Sequence, residues 1–128
     1  MVRSFFSDLT TVMLAKCLDA CGLRQRVIAN NIANVETPGF TRSEVAFESR
    51  LKEALEATSE ESAISRIEKI QPEIIQDNIS PARPNGNNVS IEKEMADMTK
   101  NSMQYEALVQ LMNLKAAMIR MAMNEGRR

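Results

Sequence analysis

Residues 90–125 read SIEKEMADMTKNSMQYEALVQLMNLKAAMIRMAMNE and contain neither Pro nor Gly. Within them Ile91, Met95, Met98, Ser102, Tyr105, Val109, Met112, Ala116, Ile119 and Met123 recur at alternating steps of four and three, and only Ser102 is polar. A mean step of about 3.5 places all of them on one seam of a continuous helix. At 1.5 Å per residue that helix is about 50 Å long. Ser90 is a suitable N-cap, with Glu92, Glu94 and Asp97 near the positive end of the helix dipole. Lys115, Arg120, Arg127 and Arg128 sit toward the other end, and Gly126 is a natural terminator. A small domain rarely needs so long an element. The stretch therefore points to a protein that works by helix-to-helix assembly and not by enclosing an active-site cavity.

The start of the chain has the same character. From about Ser4 to Asn34 the pattern is helical, with Phe6, Leu9, Met13, Ala20, Leu23 and Val27 on one stripe. Leu14, Leu18, Cys21, Ile28 and Ile32 form a second. A helix apolar on two faces needs more than one packing partner. The C-terminal helix of the same chain is expected on the first face and a neighbouring molecule on the second. The expected fold is mainly α: long N- and C-terminal helices paired as an antiparallel coiled coil, with a small irregular middle. The divisions are 1–34 for the N-terminal helix, 35–88 for the middle segment and 89–128 for the C-terminal helix.

The middle segment opens on a turn. Thr37-Pro38 disfavours helix at Thr37, and Pro38-Gly39 fits the two central positions of a type II turn. Phe40 gives the loop an apolar anchor. A short amphipathic helix is expected over Phe47–Ala57, with Phe47, Leu51, Ala54 and Leu55 on one side. Thr58–Ser62 reads as a polar loop. Ile64, Ile67, Ile70, Ile74 and Ile75 are β-branched, Pro72 blocks a helix running through them, and short extended pieces are expected. Ser80–Asn88 reads as a linker with an Asn85-Gly86 turn.

Composition excludes several functions. The 128 residues suffice for one domain, and the apolar 44% is Ala, Leu, Ile and Met with only 4% aromatics and no Trp, which suits helix interfaces. Nine Met residues favour adaptable packing. A net charge of −1 offers no footprint for nucleic acid. With no His, a Ser-His or Cys-His nucleophile pair is excluded, and no phosphate-binding glycine loop is present. Cys17 and Cys21, four apart on a helix, are placed badly for a disulfide and too few for a metal site, so they read as small buried thiols. Arg24-Gln25-Arg26 reads as a solvated helix face. No enzyme, cofactor, small-molecule substrate or metal is expected. Residues 1–8 carry one basic residue and no apolar core, so no cleaved signal peptide is expected, which leaves export by another route open.

One run is far more specific: Ala29-Asn30-Asn31-Ile32-Ala33-Asn34-Val35-Glu36-Thr37-Pro38-Gly39-Phe40. Asn side chains near a helix end can bond unpaired backbone groups there. The run resembles the signature of the flagellar axial proteins, the rod, hook and hook-associated subunits, in the form N-N-I-A-N-x-x-T-P-G-F. The segment Asn85–Met95, followed by Asn101 and Tyr105, resembles a second motif of that family. The shortness of the chain, the lead-in Leu23–Ile28 and the exit Phe40–Ser43 resemble its short proximal-rod members. The resemblance implies a structural rod subunit that transmits torque. It implies secretion through the flagellar export apparatus to the basal body, and other rod proteins and the export gate as partners. It makes Asn30, Asn31, Asn34, Thr37, Pro38, Gly39 and Phe40 an assembly signature. The helix interface is expected to use Leu9, Met13, Ala20, Leu23, Val27, Ile91, Met95, Met98, Tyr105, Val109, Met112, Ala116 and Ile119. A coiled-coil secretion chaperone would share the amphipathic helices but has no need of the Asn-rich turn.

Overall fold

The structure, a computed structural model, describes residues 8–126. In chain order its elements are α1 (Leu9–Ala33), β1 (Ser43–Ala46), α2 (Glu48–Leu55), α3 (Glu60–Lys69), β2 (Glu73–Gln76) and α4 (Ile91–Glu125). The expected start of the first helix at Ser4, with Phe6 in its stripe, lies outside the described residues, as do Arg127 and Arg128.

The two long helices pack together and run antiparallel, as expected. Polar contacts mark both ends and the middle of the pair. Asp8 caps α1 by accepting from the Thr11 N–H at 3.1 Å, and its carboxylate also pairs with Lys115 of α4. Midway, Asn101 Nδ2 of α4 donates to the Cys21 carbonyl of α1 at 3.0 Å and to Gln25 Oε1 at 2.9 Å. At the far end Asn31 of α1 meets Glu94 of α4.

These contacts set the rotation of α4, and the rotation differs from the expected seam. Glu94, Asn101 and Ile119 are its buried residues, while Met98, Val109 and Met112 are half-buried. Ile91, Met95, Tyr105 and Ala116, assigned to the same seam, are exposed in the single chain. Their spacing is right for a helix face. The face turned toward α1 is instead chosen by Glu94 and Asn101, whose partners lie there. Periodicity of apolar residues carries no trace of that polar preference.

On α1 both predicted stripes are largely covered within the chain. Ala20, Val27, Leu14, Cys21 and Ile28 are buried, and Leu9, Met13, Leu23, Leu18 and Ile32 are half-buried. The second stripe, expected to meet a neighbouring molecule, is thus largely covered in the single chain, and α1 packs against α3 and β1 as well as α4. The cover comes from an element that replaces the expected loop at Thr58–Ser62 and the extended piece after it. Ser59 accepts from the Ser62 N–H at 3.2 Å and starts α3, Glu60 and Glu61 occupy its first turn, and Arg66 and Lys69 its last. Ala63 and Ile67, four apart, are its buried pair. Pro72 follows once the helix has ended at Ile70, so it does not interfere.

Of the remaining middle elements, α2 and the extended β2 form as expected, whereas β1 occupies a stretch where no element was expected. Phe47 is buried ahead of α2, and Cys17, Ala20, Phe47, Leu51 and Leu108 line one cleft where α1, α2 and α4 meet. β1 and β2 form an antiparallel pair, with Ser43 opposite Gln76 and Ala46 opposite Glu73. Among the described residues no helix is long and apolar enough to cross a membrane.

Ile67 is fully buried where α3 meets the core, so Ile67→Ala should cost about 2–4 kcal/mol of folding stability. Ile79→Ala, at a residue 96% exposed, should change stability by less than about 0.5 kcal/mol. Urea unfolding followed by circular dichroism measures both. A small effect at Ile67 would mean that α3 does not belong to the cooperative core.

Candidate functional site

The two sequence motifs meet in space. α1 ends at Asn34, whose backbone N–H bonds back to the carbonyls of Asn30 and Asn31 at 3.1 and 3.2 Å. Its side-chain Nδ2 donates to the Asn30 carbonyl at 2.8 Å, and its Oδ1 accepts from the Thr37 hydroxyl at 3.2 Å. The Phe40 N–H then reaches the Thr37 carbonyl at 3.3 Å, closing a turn with Pro38 and Gly39 at its centre. Gly39 has φ +74°, the left-handed value that a type II turn demands there.

The second motif docks on this turn. Asn87 is wholly buried, and its Nδ2 points at the carbonyls of Asn34, Val35 and Thr37 at 2.9, 3.0 and 2.8 Å. It ties together three carbonyls of the turn that follows α1 from a residue about fifty positions away. Its Oδ1 accepts from the Val89 N–H at 2.8 Å. Arg83 also donates to the Val35 carbonyl. The Gly39 N–H donates to the Asn85 carbonyl at 2.9 Å, so the two turns lie back to back. Gly86, at φ +84°, leaves so little room that a Cβ on it would stand 3.2 Å from Gly39 Cα.

Behind the turns lies a buried charge cluster. Arg42 is 4% exposed and Glu94 is 0% exposed. Arg42 Nε donates to Glu94 Oε1 at 2.8 Å, and its Nη1 donates to Asp77 Oδ2 at 2.8 Å and to Glu44 at 3.2 Å. Asn31 completes the cluster. Its Nδ2 donates to Glu94 Oε2 at 3.0 Å and to the Ser43 carbonyl at 2.8 Å, while its Oδ1 accepts from the Ser43 N–H at 3.0 Å. The side chain thus pairs with the outer edge of β1 as a neighbouring strand would. Asn88 ties the rest together, accepting from the Arg42 N–H at 2.7 Å and donating to the Asp77 carbonyl at 2.7 Å. Asp77 is held well below the usual carboxylate range by the Ser80 hydroxyl and N–H and by Arg42. Burial alone would lower the Arg42 pKa, but the Asp77 and Glu94 carboxylates raise it above its ordinary value.

The signature residues therefore take different parts. Asn31 is a buried joint, Asn34 and Thr37 form the cap, and Gly39 forms the turn. Phe40 is half-buried, whereas Asn30 and Pro38 are exposed. Sequence reasoning missed Arg42, Asp77, Asn87 and Glu94 as members of the site. Their side chains are polar, and pattern reading assigns polar residues to the surface. Arg24 is not a solvated face either, since it bonds Glu48 at 2.6 Å and the Val45 carbonyl at 3.4 Å. Cys17 and Cys21 are free thiols, both raised in pKa first of all by burial. Among the described residues no group of His, Cys, Asp or Glu could hold a metal ion.

Two short motifs thus build one polar joint that locks the helix pair at one end. The comparisons with known proteins give the family. The family model described as flagella basal body rod protein matches residues 20–41, the span that ends in the Asn-rich turn. The flagellar basal body rod protein FlgB of Bacillus subtilis is 31% identical, over 97% of this chain and 99% of that protein. FlgB of Borrelia hermsii is 37% identical over 77% of this chain and 83% of the relative, and FlgB of Borreliella burgdorferi 35% over 71% and 78%. The chain belongs to the FlgB family of flagellar basal body rod proteins.

Two predictions come from the joint. Asp77 has a lower pKa folded than unfolded, so it contributes stability above the ordinary carboxylate pKa of about 3.9 and loses it as pH falls below that value. Urea midpoints should fall steeply from about pH 4.5 toward pH 2. Asp77→Asn should flatten that slope and be the less stable protein at pH 7. An unchanged slope would remove Asp77 from the account. Among the glycines, Gly86→Ala should destabilise by about 1–2 kcal/mol through its positive φ and the contact with Gly39. Gly22→Ala, in mid-helix with open space around it, should stabilise by about 0.5–1 kcal/mol. Equal effects in chemical denaturation would refute the distinction.

Proposed function

We propose that this chain is a structural subunit of the proximal flagellar rod, which joins copies of itself and other rod proteins through its helices to form a torque-transmitting shaft around an export channel. The rod base and export gate are the further partners, and the chain reaches the basal body by the flagellar export route.

One observation supports this reading above the others. Met103, Ala107, Leu111, Leu114, Met118 and Met121 recur on α4 at steps of four and three, on the side away from Glu94, Asn101 and Ile119. The five large members are between 51% and 67% exposed. A continuous apolar stripe of that length on a soluble chain is an interaction surface. Ile91, Met95 and Tyr105 of the predicted seam are also exposed, on a different side of α4. If the stripe meets a different surface on the next subunit, the contact is heterologous and repeats without closing, which generates a helical tube. Met side chains tolerate small differences in contact geometry between neighbours. That suits a shaft made of related but unequal subunits.

The test separates folding from assembly. Leu114→Asp and Met118→Asp sit on the outer stripe and should change folding stability by less than about 0.5 kcal/mol. Each should nevertheless abolish rod incorporation, because it buries an unpaired charge between subunits. Complementation of a null strain, scored by motile cells and isolated basal bodies, gives the readout. Normal motility with both variants would sink the assembly reading.

A further inference from the structure

The sheet has two outer edges, and they are treated differently. The Asp77 N–H donates to the Arg42 carbonyl at 2.9 Å, which sets the phase of the ladder. In an antiparallel pair bonded and non-bonded partners alternate. Glu44/Ile75 and Ala46/Glu73 are therefore the bonded pairs, and Ser43, Val45, Ile74 and Gln76 turn their backbone groups outward. On β1 the outward groups are taken: Ser43 is paired by both side-chain ends of Asn31, and the Val45 carbonyl accepts from Arg24. On β2 nothing among the described residues bonds the backbone of Ile74 or Gln76. Ile74 faces the same side as the buried Val45 opposite it, yet is 53% exposed, because no third strand flanks it. Neither Lys nor Pro lies within β2 to block an incoming strand.

We propose that the outer edge of β2 receives a third strand, an extended segment of a neighbouring rod subunit. This rests on the assembly reading above. The two pairs of free backbone groups specify the occupant's conformation. They recur two residues apart, which matches extended backbone, while a helix has already satisfied its own donors and acceptors. Ile74 specifies an apolar or β-branched residue beside it on the core face. The size of the site specifies the source. Four residues offer at most four backbone bonds, and two-stranded sheets are marginal in water. So small an edge cannot hold a free peptide. It can hold a segment already brought close by a second contact, as in a subunit seated on the outer stripe of α4.

The ladder phase provides a clean substitution. Ile74→Pro removes an N–H that faces outward and leaves the bonded pairs of β1 and β2 intact, a placement where strands tolerate Pro. Ile74→Thr keeps the N–H and the β-branch. Both purified variants should show the wild-type helical content by circular dichroism. Incorporation into basal bodies should fall by about tenfold or more for Ile74→Pro and stay normal for Ile74→Thr. Independently of folding, a photo-crosslinking benzoylphenylalanine in place of Gln76 should give adducts in assembled rods that map to an extended segment of a neighbouring subunit. Normal incorporation of Ile74→Pro, or adducts confined to helical segments, would overturn the strand proposal. Leu114→Asp would still block assembly in that case, so the rod reading would stand; motility with Leu114→Asp would remove the rod reading itself.

Discussion

A guanidinium that is almost wholly buried must keep its carboxylates. Arg42 meets that requirement through Glu94 on α4, Asp77 beyond β2 and Glu44 two residues on in β1. Removing one partner of such a pair typically costs about 3–5 kcal/mol, because the other charge is left stranded. The constraint is geometric as well as energetic. Arg42 follows the turn after α1, and Glu94 lies in the first turn of α4, so their bond fixes where the returning helix begins. Asn31 shares Glu94 with Arg42 and thereby adds the last turns of α1 to the same joint. Helix direction, strand placement and helix rotation all follow from satisfying this one cation.

That dependence explains what could and could not be read in the sequence. Both long helices were legible, since each rests on many apolar residues at helical spacing. The Pro38-Gly39 turn was legible because its chemistry is local. α3 was obscured by Pro72 and by a run of β-branched Ile, although Ser59 with Glu60 and Glu61 was a start signal in plain sight. The rotation of α4 was not legible at all. Its apolar residues occupy three sides, and the side turned inward is chosen by Glu94 and Asn101. Half of the joint was accessible through its resemblance to a signature, which named Asn31, Asn34, Thr37 and Gly39. The other half, Arg42, Asp77, Asn87 and Glu94, is defined by contacts between segments up to 63 residues apart, and although Asn87 and Glu94 fall within the second motif, no local pattern records their partners.

Asn101 shows the same logic within the helix pair. Its Nδ2 donates to the Cys21 carbonyl and Gln25, while its Oδ1 is buried without a partner among the described residues. A buried polar atom left alone costs about 1–3 kcal/mol. A Leu at this position would avoid that cost and add apolar contact. An inward Asn does something Leu cannot, because sliding α4 by one turn would strand its amide. Polar residues inside helix pairs are best attested in this role, as devices that fix register at some cost in stability.

The distribution of polar and apolar residues then separates two tasks. Apolar surface attracts in proportion to its area and tolerates sliding, whereas a buried hydrogen-bonded ion cluster accepts essentially one arrangement. The chain places its exact contacts, Arg42, Glu94, Asn31 and Asn87, where α1 ends and α4 begins. It places its tolerant ones, Met103 to Met121, on the outer side of α4. A subunit that repeats along a helix multiplies any internal angular error by the number of repeats. The internal angle therefore has to be set by the intolerant kind of contact. On the proposed assembly, the outer stripe of α4 is the surface between subunits that absorbs the differences that remain, and thioether side chains suit it to that role. Gly39 and Gly86 belong with the first kind. Back to back at positive φ, they let the two turns approach closely enough for Asn87 to reach the end of α1, and a side chain on Gly86 would press on Gly39 and push apart the motifs whose contact aims α4.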